Sequence, residues 1–282
     1  MKFAAILLFA WSAFAGVERG DIAVARYQPG AFINTWLRVY SPDGREKFIF
    51  SDVNRVAFDG TGNLYAMRDF EKELLKFDAT FTLVRSVRID APGLMTVSEA
   101  GVVYVLSNQQ MSVYSPELEL LDRYMLPYGA LMIDLAPDQC TLVLAVLFTK
   151  RFDVCAKRDL AGLGVNTVSV NSASRALSDG GYVIASPPRL IFSTKSGSIA
   201  RVTNMEASDF FTIYSMSFDA DPHYLWLAYA NGFVRKVEIT TGAVVQSLSM
   251  SVTSIAVFGE MRPSSLDVAP TGRREAVRHP RH

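Results

Sequence analysis

The chain has 282 residues, half of them hydrophobic, and its 28 basic residues balance 28 acidic ones. This length suits one large all-β domain or two small domains, and the charge balance speaks against a nucleic-acid surface or a polybasic membrane patch as the principal contact. The charge is unevenly spread: Arg262, Arg273, Arg274, Arg278 and Arg281 crowd the end of the chain against Asp267 and Glu275, leaving the body mildly acidic.

Residues 1–15 carry the three parts of a secretory signal: Lys2 as a positive start, an apolar run from Phe3 to Phe14, and the small-x-small triplet Ala13-Phe14-Ala15. The segment reads as a cleaved signal rather than a buried first helix or an uncleaved anchor, because the run is short for a bilayer and strand-like sequence follows at once. No cysteine lies near the cleavage site, as a bacterial lipoprotein would require, and no later stretch is apolar enough for a membrane helix. The expected location is secreted or periplasmic, with no membrane contact after cleavage.

Between residues 16 and 260 the sequence echoes itself. One copy runs Val56-Ala57-Phe58-Asp59-Gly60-Thr61-Gly62-Asn63-Leu64-Tyr65, then Leu74-Leu75-Lys76-Phe77-Asp78, then Leu83-Val84-Arg85-Ser86-Val87. Another begins at Met216-Ser217-Phe218-Asp219, continues through Val234-Arg235-Lys236-Val237-Glu238 and ends at Val244-Val245-Gln246. The landmark of the third strand recurs at Tyr40, Phe77, Tyr114, Phe152, Phe192 and Val237, with gaps of 37, 37, 38, 40 and 45 residues. Six landmarks near a forty-residue period predict a six-bladed β-propeller of four-stranded antiparallel blades. A β-helix repeats at shorter intervals, and a sandwich lacks such an echo. Asp-Gly, Thr-Gly and Gly-Gly turns bound the strands, because these residues tolerate the positive φ angles of short hairpins.

The first copy, from Asp21 to Phe50, lacks an innermost strand, while Val252 to Phe258 is a strand with no blade after it. The last strand is therefore expected to complete the first blade and close the ring, which removes two exposed sheet edges. Residues 261–282, rich in Pro, Arg, Ser and Thr, read as a disordered basic tail.

Cys140 and Cys155 flank two strand-like runs joined by a tight connection, so antiparallel pairing brings them within bridging distance. A disulfide in the fourth blade is expected, in keeping with an oxidising compartment. Metal ligation would need more Cys or His nearby, and a redox pair would sit closer in sequence.

The block Phe58 to Tyr65 and the block Val237-Glu238-Ile239-Thr240-Thr241-Gly242 resemble the blade consensus of bacterial NHL-like and TolB-like six-bladed propellers. The paired-cysteine blade, Asp138-Gln139-Cys140-Thr141-Leu142 with Lys150 to Cys155, is similar to that of exported bacterial members. This resemblance spans roughly residues 20–260 and implies the fold rather than an activity, since propellers host hydrolases, lyases, sensors and adaptors. Gluconolactonase-like relatives imply a divalent cation held by carboxylate and amide side chains in the central channel.

The channel-facing candidates are Asn54, Arg55, Asp134, Arg175 and Ser215, of which only Asp134 is a carboxylate, too few for a calcium cage. His223 lies in a turn, and His279 and His282 lie in the tail, so neither nucleophilic catalysis with a histidine base nor a zinc site is expected. Glu71 and Glu73 sit in a solvated charged loop, Gly60-Thr61-Gly62 is a hairpin turn rather than a phosphate loop, and Trp36, Trp226 and Tyr224 fall at core positions. No cofactor is expected. The reading is an exported, monomeric, noncatalytic module that binds a protein or polysaccharide ligand, the alternative being a metal-dependent lactonase-like hydrolase with its site in the channel.

Overall fold

The computed structural model describes residues 16–26, 35–145, 149–160, 172–206, 211–265 and 267–268. The expected signal, 1–15, and residues 269–282 lie outside the described residues. Among the described residues the strands form six four-stranded antiparallel sheets and no helix. Each sheet is one blade of a six-bladed β-propeller, and each innermost strand touches the innermost strands of both neighbours, so the ring is closed around a central channel.

The innermost strands are Ser254–Val257 in blade 1, Arg55–Phe58 in blade 2, Leu94–Val97 in blade 3, Met132–Leu135 in blade 4, Ala173–Ala176 in blade 5 and Ile213–Phe218 in blade 6. Closure is by the C-terminal strand, as the repeat required: Ser254–Val257 pairs antiparallel with Ile22–Arg26, with Ala23 opposite Ala256. The landmarks Tyr40, Phe77, Tyr114, Phe152, Phe192 and Val237 all lie in third strands.

The second strands explain why the repeat reads so strongly. Ile22–Arg26, Leu64–Arg68, Thr141–Ala145 and Tyr182–Ser186 are buried almost throughout, because one face of each packs on the preceding blade and the other on the following blade. Such strands lose the polar alternation of a half-solvated sheet and become continuous apolar runs. In blade 2, Leu64 and Ala66 join the cluster shared with blade 1, while Tyr65 and Met67 join the cluster shared with blade 3. The apolar core is thus six clusters, one at each seam between blades. The outer strands alternate instead between exposed and half-buried residues, as in Val244–Ser249.

Local chemistry sets the turns. Asp59 Oδ1 accepts hydrogen bonds from the backbone of Thr61 and Asn63, Asn63 Nδ2 donates to Asp59 Oδ2, and Gly62 takes a φ of 88°. A β-carbon is disfavoured in that left-handed conformation, which is why the turn calls for glycine. Trp226 is buried against Ile22 and Val24 of blade 1 and donates its indole N–H to Asp219.

Cys140 and Cys155 form a disulfide with their Cα atoms 5.2 Å apart. It ties the second and third strands of blade 4 together at the end opposite their shared hairpin. Blade 4 has the shortest outer strand described, Arg158–Leu160. A bridge across 15 residues of sequence constrains the unfolded chain by about 3 kcal/mol. The C140S/C155S variant is expected to melt roughly 6–12 °C lower than the wild type, with reduced wild type melting at the variant's temperature. An unchanged melting temperature in scanning calorimetry would show that the bridge braces nothing.

Candidate functional site

An antiparallel blade leaves its innermost strand with one edge facing the channel, where backbone N–H groups have no strand partner. In blades 1, 2, 4 and 5 side chains of the preceding blade meet part of that demand. Ser217 Oγ accepts from Val257 N and Ser215 Oγ from Ile255 N, both at 3.2 Å, linking blade 6 to blade 1. Ser254 Oγ accepts from Val56 N at 3.2 Å, and Thr96 Oγ1 from Leu135 N at 3.4 Å. Asp134 does the same for blade 5, accepting from Ala176 N at 2.7 Å. Thr96, Asp134 and Ser217 occupy equivalent places, the last but one residue of their innermost strands, and Arg175 holds that place in blade 5.

The channel encloses about 1110 Å³ and is lined by the innermost strands and the loops at both ends. Arg26, Arg55, Leu131 and Tyr214 lie at the upper end, where the innermost strands begin. Leu131 and Tyr214 are 49% and 45% exposed there. At the lower end, the segment following the closing strand crosses beneath the ring. Met261 N donates to Asp219 O, Ser178 N donates to Pro263 O, and Ser265 binds the Asp179 carboxylate through its backbone N and its hydroxyl. Val268 then inserts into the core cluster of blades 5 and 6.

This strap carries two charged side chains into the channel wall. Asp134, 1% exposed, receives Arg175 Nη1 at 2.6 Å and Arg262 Nη2 at 3.2 Å on Oδ1, and Arg262 Nη1 at 2.8 Å on Oδ2. Arg262 Nη1 also donates to Leu135 O at 2.9 Å and Ala176 O at 3.4 Å. Glu260 accepts from Arg175 Nη2 at 2.7 Å, from Arg262 Nε at 2.8 Å and from Ser217 Oγ at 2.8 Å. Two carboxylates and two guanidinium groups therefore form one charge-balanced cluster that joins blades 4, 5 and 6 to the strap.

Burial opposes the charge on Glu260, but Arg175 and Arg262 outweigh it, and its pKa falls to about 2. Burial likewise opposes the charge on Arg262, and Asp134 and Glu260 overcome it and hold the guanidinium protonated. The divalent cation implied by gluconolactonase-like relatives needs free carboxylate oxygens. Both oxygens of Asp134 and of Glu260 already face N–H or O–H donors, so this cluster does not fit such an ion. Among the described residues no three Cys, His, Asp or Glu side chains gather in a metal-binding group.

The structure brings Asp134 and Arg175 together and places Arg55 and Ser215 on the channel. Asn54 differs: it is buried outside the channel lining, its Oδ1 accepts from Asp69 N, and its backbone caps the start of blade 2. A short polar residue at a blade junction is needed there for the loop's own backbone. Glu260 and Arg262 were missed in the sequence because they fall where the composition turns polar. The segment read as a tail from 261 is packed on the ring through 265 and again at 267 and 268, and the buried Asp134 is the reason, since it requires cationic partners. A signal available in the sequence is the apolar pair Leu266 and Val268 within that stretch. His223 is exposed and binds Asp221, as the sequence led one to expect of a turn residue; Glu71 lies in the loop, but Glu73 opens the strand Glu73–Phe77, half-buried opposite Arg68, and both acids pair with that arginine.

Acid stability follows from the cluster. A carboxyl whose folded pKa is depressed contributes stability above its unfolded pKa of roughly 4.3 and loses it as pH falls towards the folded value. Glu260 therefore contributes at most about 3 kcal/mol at neutral pH, lost between the ordinary carboxylate range and about 2. Urea denaturation from pH 6 to pH 2 is expected to show this slope in the wild type and a shallower one in E260Q. D134A, which leaves two buried guanidinium groups short of a partner, is expected to cost about 3–5 kcal/mol at pH 7; a loss within 1 kcal/mol of zero would contradict the geometry.

No protein-family model matches the sequence, and no curated protein does. Solved structures do match in fold. A protein of unknown function from Bacteroides caccae superimposes with a TM-score of 0.62 at 11% identity, over 86% of this chain and all of that one. Hydrazine synthase of Kuenenia stuttgartiensis superimposes with a TM-score of 0.56 at 13% identity, over 79% of this chain and 84% of that one. At such identities the likeness is one of fold and of nothing narrower.

Proposed function

We propose that the protein is an exported, noncatalytic propeller that binds a protein or polysaccharide ligand at the upper mouth of its channel. One observation carries this reading: the buried acids of the channel, Asp134 and Glu260, spend their oxygens on Arg175, Arg262, Ser217 and a backbone amide. Such acids hold the ring together. General acid or base work needs a carboxyl whose proton can come and go near neutral pH, and the arginines beside Glu260 hold it ionised well below that range. The lactonase-like alternative draws no support from this cluster.

The upper mouth has the chemistry of a recognition surface. Arg55 and Arg26 supply fork-shaped donors suited to carboxylate or sugar oxygens, Tyr214 and Leu131 supply exposed apolar area on other blades of the same mouth, and Ser215 and Thr253 add hydroxyls within the channel. Export is supported by the signal-like residues 1–15 and by the Cys140–Cys155 bridge, which persists in oxidising compartments. The resemblance of Phe58 to Tyr65 to NHL-like and TolB-like blades agrees with a scaffold of this kind, acting as a monomer without cofactor and without nucleic acid.

The decisive assay sets purified protein, with calcium, magnesium or manganese added, against lactones, carboxylic esters and glycosides. No turnover above buffer is expected. Turnover that D134N or R175A abolishes would overturn the noncatalytic reading.

A further inference from the structure

The lower end of the channel is built around one guanidinium group. Asp134 presents both carboxylate oxygens and the carbonyls of Leu135 and Ala176 converge beside them, and all four accept from Arg262. Asp134 belongs to blade 4 and Ala176 to blade 5, so this acceptor set is assembled by the ring, and the guanidinium arrives from the strap. On the other side Arg175 and Ser217, both of the ring, receive Glu260. The ring therefore presents an acceptor pocket for an arginine and a donor pair for an acid, and the strap's Glu260-Met261-Arg262 fills both. Arg175, Glu260 and Arg262 also line the channel, so the pocket is reached from its interior.

Charge makes the pocket selective. Without the Arg262 side chain the cluster would hold Asp134 and Glu260 against Arg175 alone, leaving one uncompensated negative charge in a largely buried wall. Two carbonyls would also be left short of a donor. Buried groups of this kind carry a large penalty until a cation with several N–H groups satisfies them. A planar guanidinium meets the converging acceptors with parallel N–H bonds, whereas an ammonium brings a point charge and cannot match the fork.

From this geometry we infer that the lower channel is an arginine-recognition site occupied in cis by Arg262, so that the strap competes with an arginine side chain of a partner peptide segment. The inference rests on the reading of the protein as a noncatalytic binding module and goes beyond it, adding a second contact at the end of the channel opposite the upper mouth. The strap is the internal occupant, and its exchange for an external arginine would open the lower mouth between blades 4 and 6.

Two measurements on the full chain test this. In the first, R262A is heated in the presence of about 10 mM guanidinium chloride, a concentration at which a site-bound ion stabilises by mass action well below any denaturing range. The salt is expected to restore about half of the melting temperature lost on substitution, while methylammonium chloride and sodium chloride restore none and the wild type is unmoved. Equal responses to the three salts, or no response, would overturn the site. Should R262A not fold, R262M keeps the volume of the arginine stem and carries the same titration. The second measurement needs no variant: arginine amide is expected to speed hydrogen exchange several-fold in wild-type peptides covering 259–268 and to leave the closing strand 254–257 unchanged. Unchanged exchange in the strap would rule out competition. Either failure removes the arginine site and leaves the noncatalytic reading to its own turnover assay.

Discussion

The structure depends on satisfying the inner edge of a closed ring. Six innermost strands converge on the channel, and each has backbone N–H groups that its own blade cannot pair. Buried unpaired amides cost free energy comparable to a lost hydrogen bond, and at four of the six seams described the blade behind supplies a side-chain acceptor. Ser217, Ser215, Ser254, Thr96 and Asp134 each reach forward to the next innermost strand. These bonds run across the seams rather than within the sheets, so they set blade against blade while the apolar clusters fill the volume between them.

Asp134 stands apart from the hydroxyl acceptors at the same structural place because it is charged. A buried carboxylate needs more than one amide, and the two guanidinium groups beside it provide the rest. Arg175 can do so because it holds the equivalent position in the next blade. Arg262 can do so because the chain turns back under the ring after closing it. The charge cluster sits where blades 4 and 5 meet, at a seam whose apolar cluster is small and rich in alanine: Ala136, Val143, Ala145, Ala176, Tyr182 and Ile184. Ion pairs and hydrogen bonds thus carry part of the joining that larger side chains perform elsewhere, for example at the seam of blades 5 and 6 with Phe192, Phe218 and Leu225.

Blade 4 accordingly carries both a covalent and an ionic support. The disulfide holds its second and third strands, and Asp134 holds its innermost strand to blade 5 and to the strap. The same strap turns an open tube into a channel with two unlike ends. The upper mouth is lined by arginine, tyrosine and leucine side chains, and the lower end is spanned by residues 260–265.

The architecture was legible in the chain because a propeller repeats one solution. Every second strand is buried on both faces, so Leu64-Tyr65-Ala66-Met67 and Tyr224-Leu225-Trp226-Leu227 look alike wherever they occur, and turns that need positive φ return with their glycine and aspartate. Ring closure by 254–257, the landmarks and the cysteine pair follow from local pattern and from counting strands. The site was legible only in part. Asp134, Arg175 and Ser215 could be named because their strands predict the channel wall, but Glu260 and Arg262, the partners of Arg175 and Asp134, lie 85 and 128 residues away from them in sequence. Composition marks 261–282 as polar and basic, which describes a solvated tail equally well as a strap neutralising a buried acid. Only the closed ring decides between them, because only there does Asp134 lose its water and require the arginine that the returning chain delivers.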